Sequence, residues 1–453
     1  MTVLIANKVR SGGVGAGERA VLEVPQVSPA VVRPLTVPRG VALYVGALFG
    51  PGLLMLPGLA AGIAGPASVL AWAGLLGVSA LFAWVFTALG TRFPDGGGVI
   101  AYTAAGLGRR AGRMAGWCFL TAVVLGAPVV CLIGAGYVTA LTGGGRQATA
   151  VVAAVLLAAV TVLTTAGARA GTTVQMVLVA LLLTVIVTAV VGAAPSARAA
   201  NFTPFAPHGW AAVGSAASVL MLSFIGWEAA APLTRRLADP VRDLPRITVV
   251  AFGVTAVVYL ALAVVVVAVL GAGQAGVVPV GALLRVVAGS AGPVIAAGAA
   301  VVLTLAAVNS YLTGAAALAA HLRASGPAQG LALGQQADAG SGAVSGADSV
   351  ADERGAKGLF GWIAVAGLVE LGGEALGVLD ATRMITLTTS LFLVVYVAAT
   401  SSAARVLVGW PRFAAVGACG ASVVVLGFAG VSAVPAVVVA AGAMVVQGRR
   451  SHR

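Results

Sequence analysis

Charged side chains are scarce in this sequence: they make up 9% of 453 residues, against roughly 25% in soluble globular proteins. A chain so poor in charge cannot cover a water-exposed surface, which excludes an ordinary soluble fold. Cysteine is nearly missing too. Cys118, Cys131 and Cys419 all fall inside apolar runs without metal-ligand or CxxC spacing, so neither a disulfide framework nor a cysteine metal site is expected. No HExxH or GxSxG motif occurs, and the two acids that share an apolar run, Glu370 and Glu374, lie near its end. A membrane-embedded hydrolase would need such a nucleophile–base or metal-ligand set. No nucleotide-binding GxxxxGK[ST] or GxGxxG opens a helix either, which argues against an ATP-driven machine within this chain.

Hydrophobic residues, by contrast, make up 60% of the chain. Apolar runs long enough to cross a hydrocarbon core of roughly 30 Å recur from Gly40 to Gln447. Twelve spans are expected at about 41–65, 67–91, 114–141, 148–166, 171–193, 211–233, 247–271, 286–320, 358–377, 382–404, 409–430 and 432–448. The fold class is thus an all-α membrane protein with a transmembrane domain over 40–448. Residues 1–39 are polar, lack the apolar stretch of a signal peptide, and read as a disordered cytosolic tail. Residues 92–113 read as a connector with an amphipathic middle. Residues 324–357, rich in Gly, Ala, Ser and Asp, read as a flexible cytosolic loop, and 449–453 as a cytosolic C-terminus.

The net charge of +13 does not point to nucleic acid, because the basic residues are scattered through the short segments between apolar runs. With the N-terminus inside, all but Arg146, Arg198, Arg285 and Arg383 of the 26 Lys and Arg residues fall on the cytosolic side. That asymmetry is the positive-inside pattern and favours an even number of spans with both termini in the cytosol.

Two spans should not be continuous. The first contains GALFGPGLLMLPG (46–58), with Gly50, Pro51 and Gly52 at its centre. Proline removes a donor, and each glycine weakens a helix by about 1 kcal/mol relative to alanine. The sixth contains SVLMLSFIGWEAAAPL (218–233), with Gly226, Glu228 and Pro232. Backbone freed at such breaks needs protein or a wet cavity to satisfy it. An intramembrane carboxyl such as Glu228 costs about 2.5–3.5 kcal/mol on insertion scales, which makes it a functional candidate. The two broken spans each open a set of five, the pattern of an inverted-repeat transporter. The amides of Gly52, Leu53 and Leu54 would receive a carboxylate. Carbonyls near Leu48, Phe49, and Phe224 to Gly226 would receive an ammonium, with Pro51 and Ser223 beside them.

These residues carry a resemblance. GPGLLMLPG in the first span, RFPDGGGVIAY with Gly116–Trp117, SFIGWEAAAPLTRRLADPVRDLPRI (223–247) and NSYLTGAAALAAHLRASG (309–326) are similar to the amino acid–polyamine–organocation superfamily of permeases. Within it, the text most resembles bacterial exporters of methionine and branched-chain amino acids. The resemblance implies a LeuT-like fold of five plus five inverted spans with two added, and alternating access. It also implies proton-coupled export or exchange of amino acids. Glu228 takes the place of the family's span-six carboxylate. Two departures stand out: the aromatic gate of many relatives is here Leu222, and residues 171–193 hold no lysine to replace sodium.

For several residues a plainer role competes. The break at Gly50–Gly52 is also what a packing kink needs, and Glu228 could be a structural carboxyl. Trp227 is first a packing residue and second a gate. Asn309, Ser310 and Tyr311 are first interhelical hydrogen-bonders and second candidates for lining the site. No charge other than Glu228 reaches the expected site, and a charged substrate side chain would lack a partner there. The expected substrates are therefore neutral and apolar: methionine, leucine, isoleucine and valine, with protons as co-substrate and the lipid bilayer as solvent. No catalytic residue, metal or cofactor is expected. An uptake permease, a polyamine or other organocation transporter of the same fold, a channel and a membrane-embedded enzyme are the alternatives.

Overall fold

The computed structural model describes residues 35–93, 98–167, 172–273, 276–324 and 346–450. The expected tail up to residue 34, the connector residues 94–97, the loop residues 325–345 and the last three residues lie outside the described residues. Among the described residues every element is helical, and ten helical stretches are long and apolar enough to cross a membrane.

The first expected span is two helices, α1 (Val37–Leu48) and α2 (Gly52–Ala64). Pro38 opens α1, where its missing N–H costs nothing, and Pro51 stands immediately before α2. Gly65 then turns the chain at φ 65°, where an added Cβ would lie 2.5 Å from Pro207. After this come α3 (Ser68–Arg92), α4 (Gly98–Leu107), α5 (Arg109–Thr142), α6 (Arg146–Thr165) and α7 (Thr172–Ala193).

The sixth expected span is likewise broken. It is α8 (Ala211–Leu220), a 3₁₀ turn over Met221–Phe224, extended backbone at Ile225, a second 3₁₀ turn over Trp227–Ala229, and the short α9 (Ala230–Thr234). Next comes α10 (Pro240–Val265), capped by the Asp239 carboxylate on the Arg242 N–H at 3.1 Å, which is the rigid turn that the Asp-Pro pair implies. The remaining helices are α11 (Pro279–Ala288), α12 (Ala291–Ala324), α13 (Gly346–Ala375), α14 (Ala381–Val406), α15 (Trp410–Phe428) and α16 (Val434–Arg450).

Three differences from the sequence expectation have physical causes. The count of ten against twelve has two sources: the first break leaves α1 with 12 residues and runs α2 on into α3 as one stretch, Gly52–Arg92, and the last apolar helix, Gly430–Val445, is shorter than a full span. The expected span at 286–320 begins later, since Gly289 at φ 58° ends α11 and lets α12 start anew at Ala291. Within the segment read as a flexible loop, α13 already begins at Gly346.

Packing between helices relies on small residues, as expected where lipid removes the hydrophobic drive for association. Gly112 of α5 would place a Cβ 2.6 Å from the Ile100 carbonyl of α4, and Gly134 one 2.8 Å from Thr304 of α12. The Ser402 hydroxyl of α14 donates to the Tyr102 carbonyl at 2.6 Å and accepts from the Gly106 N–H at 2.8 Å. So α4, read from sequence as a connector, is stitched into the bundle with Tyr102 fully buried. Glu370 of α13 is a buried acid, 5% exposed. Its neighbour one turn on, Glu374, meets Arg146 at 3.6 Å.

Candidate functional site

The two broken helices meet. At Gly226, φ is 138°, and an added Cβ would sit 2.7 Å from the Ala47 carbonyl of α1. Only glycine allows both that backbone conformation and that approach. The unwound backbone must find partners inside the protein, and tyrosine hydroxyls supply them. Tyr259 of α10 lies 2.8 Å from the Leu48 carbonyl and 2.9 Å from the Ser223 carbonyl, sharing its proton between the two breaks. Tyr44 donates to the Trp227 carbonyl at 3.0 Å, and Tyr137 to the Leu54 carbonyl at 2.6 Å. The Tyr396 hydroxyl of α14 accepts from the N–H groups of Gly226 and Trp227 at 3.0 and 3.3 Å. It donates in turn to Glu228 Oε2 at 2.5 Å. Glu228 Oε2 also accepts from the Gly226 N–H at 3.0 Å, so the carboxylate is bound into the break itself.

Two cavities open at this junction and share Ala47, Gly50, Pro51 and Tyr311. The smaller, about 50 Å³, lies between the breaks and α5 and α14, and no charged side chain lines it. Two hydroxyls on its wall, Ser223 Oγ and Thr388 Oγ1, are buried without a hydrogen-bond partner among the described residues. Such groups are costly unless something pairs with them. The larger cavity, about 570 Å³, falls in the range of small-molecule sites, about 300–1,000 Å³. Its polar side chains are Gln175, Glu228, Ser310 and Tyr311. Tyr311 lines both cavities and stands between them.

Most residues singled out from sequence gather here. Leu48, Gly52, Leu53, Leu222, Ser223 and Ile225 line the smaller cavity. Phe49, Gly226, Glu228 and Ser310 line the larger one, and Gly50, Pro51 and Tyr311 line both. Four do not face either. Leu54 is core, and Phe224 packs against the rings of Trp72 and Tyr259. Trp227 is fully buried, its indole N–H donating to Ser79 at 2.9 Å. Asn309 accepts from Thr164 of α6 at 2.7 Å, the interhelical role rather than the lining one. The backbone donors and acceptors are also fewer than expected. The N–H groups of Leu53 and Leu54 turn back to the Gly50 and Pro51 carbonyls, and the Leu48 carbonyl is taken by Tyr259.

Sequence reasoning missed Tyr44, Tyr137, Tyr259 and Tyr396 and the far walls: Val123, Gly126, Val130, Thr388 and Phe392 around the smaller cavity, and Gln175 and α4 around the larger one. They lie in regular helix, where nothing local marks them.

A family model described as amino acid permease matches residues 35–326, well over half of the chain. The chain belongs to the amino acid permease family. It is accordingly a multi-pass membrane transporter, and the matched segment runs from the start of α1 to the end of α12, so it contains both breaks. Among curated relatives, the uncharacterized amino acid permease YecA of Bacillus subtilis is 28% identical over 431 residues, covering 94% of this chain and 98% of the relative. The L-methionine/branched-chain amino acid exporter YjeH of Escherichia coli is 27% identical over 230 residues, covering 50% of this permease and 54% of the relative. The glutamate/serine transporter AimA of Bacillus subtilis is 34% identical over 95 residues, 21% of this permease and 18% of the relative.

Proposed function

We propose that this permease is a secondary active transporter that exports or exchanges neutral apolar amino acids across the cytoplasmic membrane by alternating access, with protons as the coupling ion. The observation that carries this reading is the smaller cavity. It joins two broken helices, has apolar walls, bears no charged side chain, and presents two unpartnered hydroxyls. A zwitterion supplies the missing partners: its ammonium and carboxylate pair with Ser223, Thr388 and the Gly52 end of α2, and its apolar side chain, too large for 50 Å³, takes the space gained as Tyr311 swings aside and joins the two cavities. A charged substrate side chain would be desolvated there without compensation. The Escherichia coli relative, an L-methionine/branched-chain amino acid exporter, agrees with this class.

We also propose twelve crossings arranged as two sets of five, plus α15 and α16. Supporting this, both sets run in the same order: a broken helix, a helix of 25 or 26 residues, a helix of 10, then one of 34. The positive-inside pattern supports both termini in the cytosol, with the chain before α1 and the loop between α12 and α13 on that side. In the cycle, the zwitterion rests between the breaks, and Tyr311, between the cavities, moves to open the route past Glu228. Glu228 carries the proton.

A counterflow screen in proteoliposomes tests the substrate class. Leucine, isoleucine, valine and methionine are expected to exchange with one another, at least tenfold faster than arginine or glutamate. A preference for arginine or glutamate would refute the apolar assignment.

A further inference from the structure

A third cavity, about 350 Å³, lies away from the site, as a groove lined by α3 and α10, with Pro411 of α15 at one end. Its walls are Ala80, Ala83, Trp84, Thr87, Ala88 and Thr91 on α3 and Val241, Pro245, Thr248, Val249 and Phe252 on α10. Trp84, Val241 and Val249 are 50%, 69% and 65% exposed, so the groove opens outward on the lipid-facing side of membrane-spanning helices. Its one internal polar feature is closed, because the hydroxyls of Thr87 and Thr248 bond each other at 2.8 Å.

The groove has a direction. On each helix the lining begins within two residues of the helix end, at Thr91 and at Val241, and reaches eleven positions inward, to Ala80 and to Phe252. At 1.5 Å per residue that is about 16 Å, roughly half of a 30 Å hydrocarbon core and so the depth of one leaflet. At its outer end, four lining residues are each followed in sequence by an exposed arginine: Thr91 by Arg92, Val241 by Arg242, Pro245 by Arg246 and Pro411 by Arg412. The acids beside them are Asp239 and Asp243. The first caps the Arg242 N–H and the second lies 4.0 Å from Arg246. Arginine forks match phosphate oxygens, and the N-terminal end of the 26-residue α10 adds positive potential at the same place.

We propose that this groove holds one anionic phospholipid, with an acyl chain between α3 and α10 and the headgroup phosphate on Arg92, Arg242, Arg246 and Arg412. An apolar slot one leaflet deep, closed at the water boundary by four cations, fits that molecule. A zwitterionic lipid would bring its own cation to the arginines and gain less, and a soluble partner would leave the slot empty. Each arginine near a membrane surface contributes about fivefold to attraction of an anionic lipid.

The test is native mass spectrometry of the purified full chain, incubated with equal amounts of phosphatidylglycerol and phosphatidylcholine of identical acyl chains. The wild type is expected to retain one phosphatidylglycerol per chain, at least fivefold over phosphatidylcholine. R242Q/R246Q/R412Q should bring the two lipids to equal retention. Ala88→Phe, which fills the slot while keeping every arginine, should lower retention of both. Should the triple variant not fold, judged by its melting temperature in detergent, R412Q alone carries the test with about a fivefold smaller preference. Equal retention of both lipids by the wild type, or an unchanged preference in the arginine variants, would overturn the proposal. So would undiminished lipid retention by Ala88→Phe.

Discussion

Glu228→Gln is expected to flatten the pH dependence of transport while leaving amino acid exchange at constant pH largely intact. The reason lies in the geometry at the second break. Glu228 Oε2 accepts from the Tyr396 hydroxyl and from the Gly226 N–H. A glutamine side-chain oxygen can accept both bonds from the same position, so the break keeps its shape. What is lost is the ability to take up and release a proton. The side chain lines the larger cavity, and any ion movement coupled through it must disappear with the carboxyl. In vesicles of fixed internal pH, the ratio of rates across an external pH series should fall toward one in the variant. A ratio equal to that of the wild type would remove Glu228 from coupling and leave it a structural carboxyl. Glu228→Ala is a poorer test, because it takes away the acceptor of the buried Tyr396 hydroxyl, at about 1–3 kcal/mol, and leaves the Gly226 N–H with Tyr396 alone.

The two glycines at the breaks should respond in opposite ways to one added methyl group. Gly226→Ala is expected to abolish folded, transporting protein. Its φ of 138° is a conformation that L side chains rarely adopt, and the new Cβ would meet backbone, the Ala47 carbonyl, at 2.7 Å. Strain of this kind costs about 1–3 kcal/mol before the overlap is counted. Backbone cannot swing aside as a flexible side chain can. Gly50→Ala meets nothing within 4 Å, so it is expected to fold with a melting temperature close to that of the wild type. Its methyl group instead enters the space shared by both cavities, and the apparent affinity for leucine should fall. Surface yield, melting temperature and KM for the two variants decide the matter. Similar loss of fold in both would mean that the breaks do not differ in packing as described.

From sequence alone these glycines look alike, and that marks where legibility stops. Gly50-Pro51-Gly52 and Gly226 announce broken helices because glycine and proline act on the local backbone, whatever surrounds them. The carboxyl of Glu228 stands out because charge is so rare in an apolar run. The partners of the breaks are another matter. Tyr259 is 211 positions from Leu48 and Tyr396 is 170 from Gly226. Each sits in a regular helix, where a tyrosine is unremarkable until the fold brings its hydroxyl to a freed carbonyl or amide. Thr388 is hidden in the same way. On α14 most neighbouring hydroxyls bond back to their own helix, Thr389 to Ile385 and Ser390 to Thr386, while the Thr388 hydroxyl has no such partner. For Asn309 the ambiguity was real: a polar residue on a membrane helix serves either a neighbouring helix or a cavity, and which face it takes depends on rotation about the helix axis. Here it is turned to Thr164.

The central claim is that a neutral amino acid binds between the two breaks, with the hydroxyls of Ser223 and Thr388 among its partners. The most direct measurement is equilibrium binding of labelled leucine to the purified permease, comparing the wild type with Ser223→Ala, Thr388→Val and the double variant. Hydrogen bonds to charged groups are worth about 1.5–3 kcal/mol, so each single change is expected to raise Kd about tenfold or more. The double variant should bind more weakly still, with melting temperatures no lower than the wild type, since neither hydroxyl has a partner among the described residues. Unchanged leucine affinity in the double variant would contradict the account, because it would place the substrate somewhere other than where the two broken helices meet.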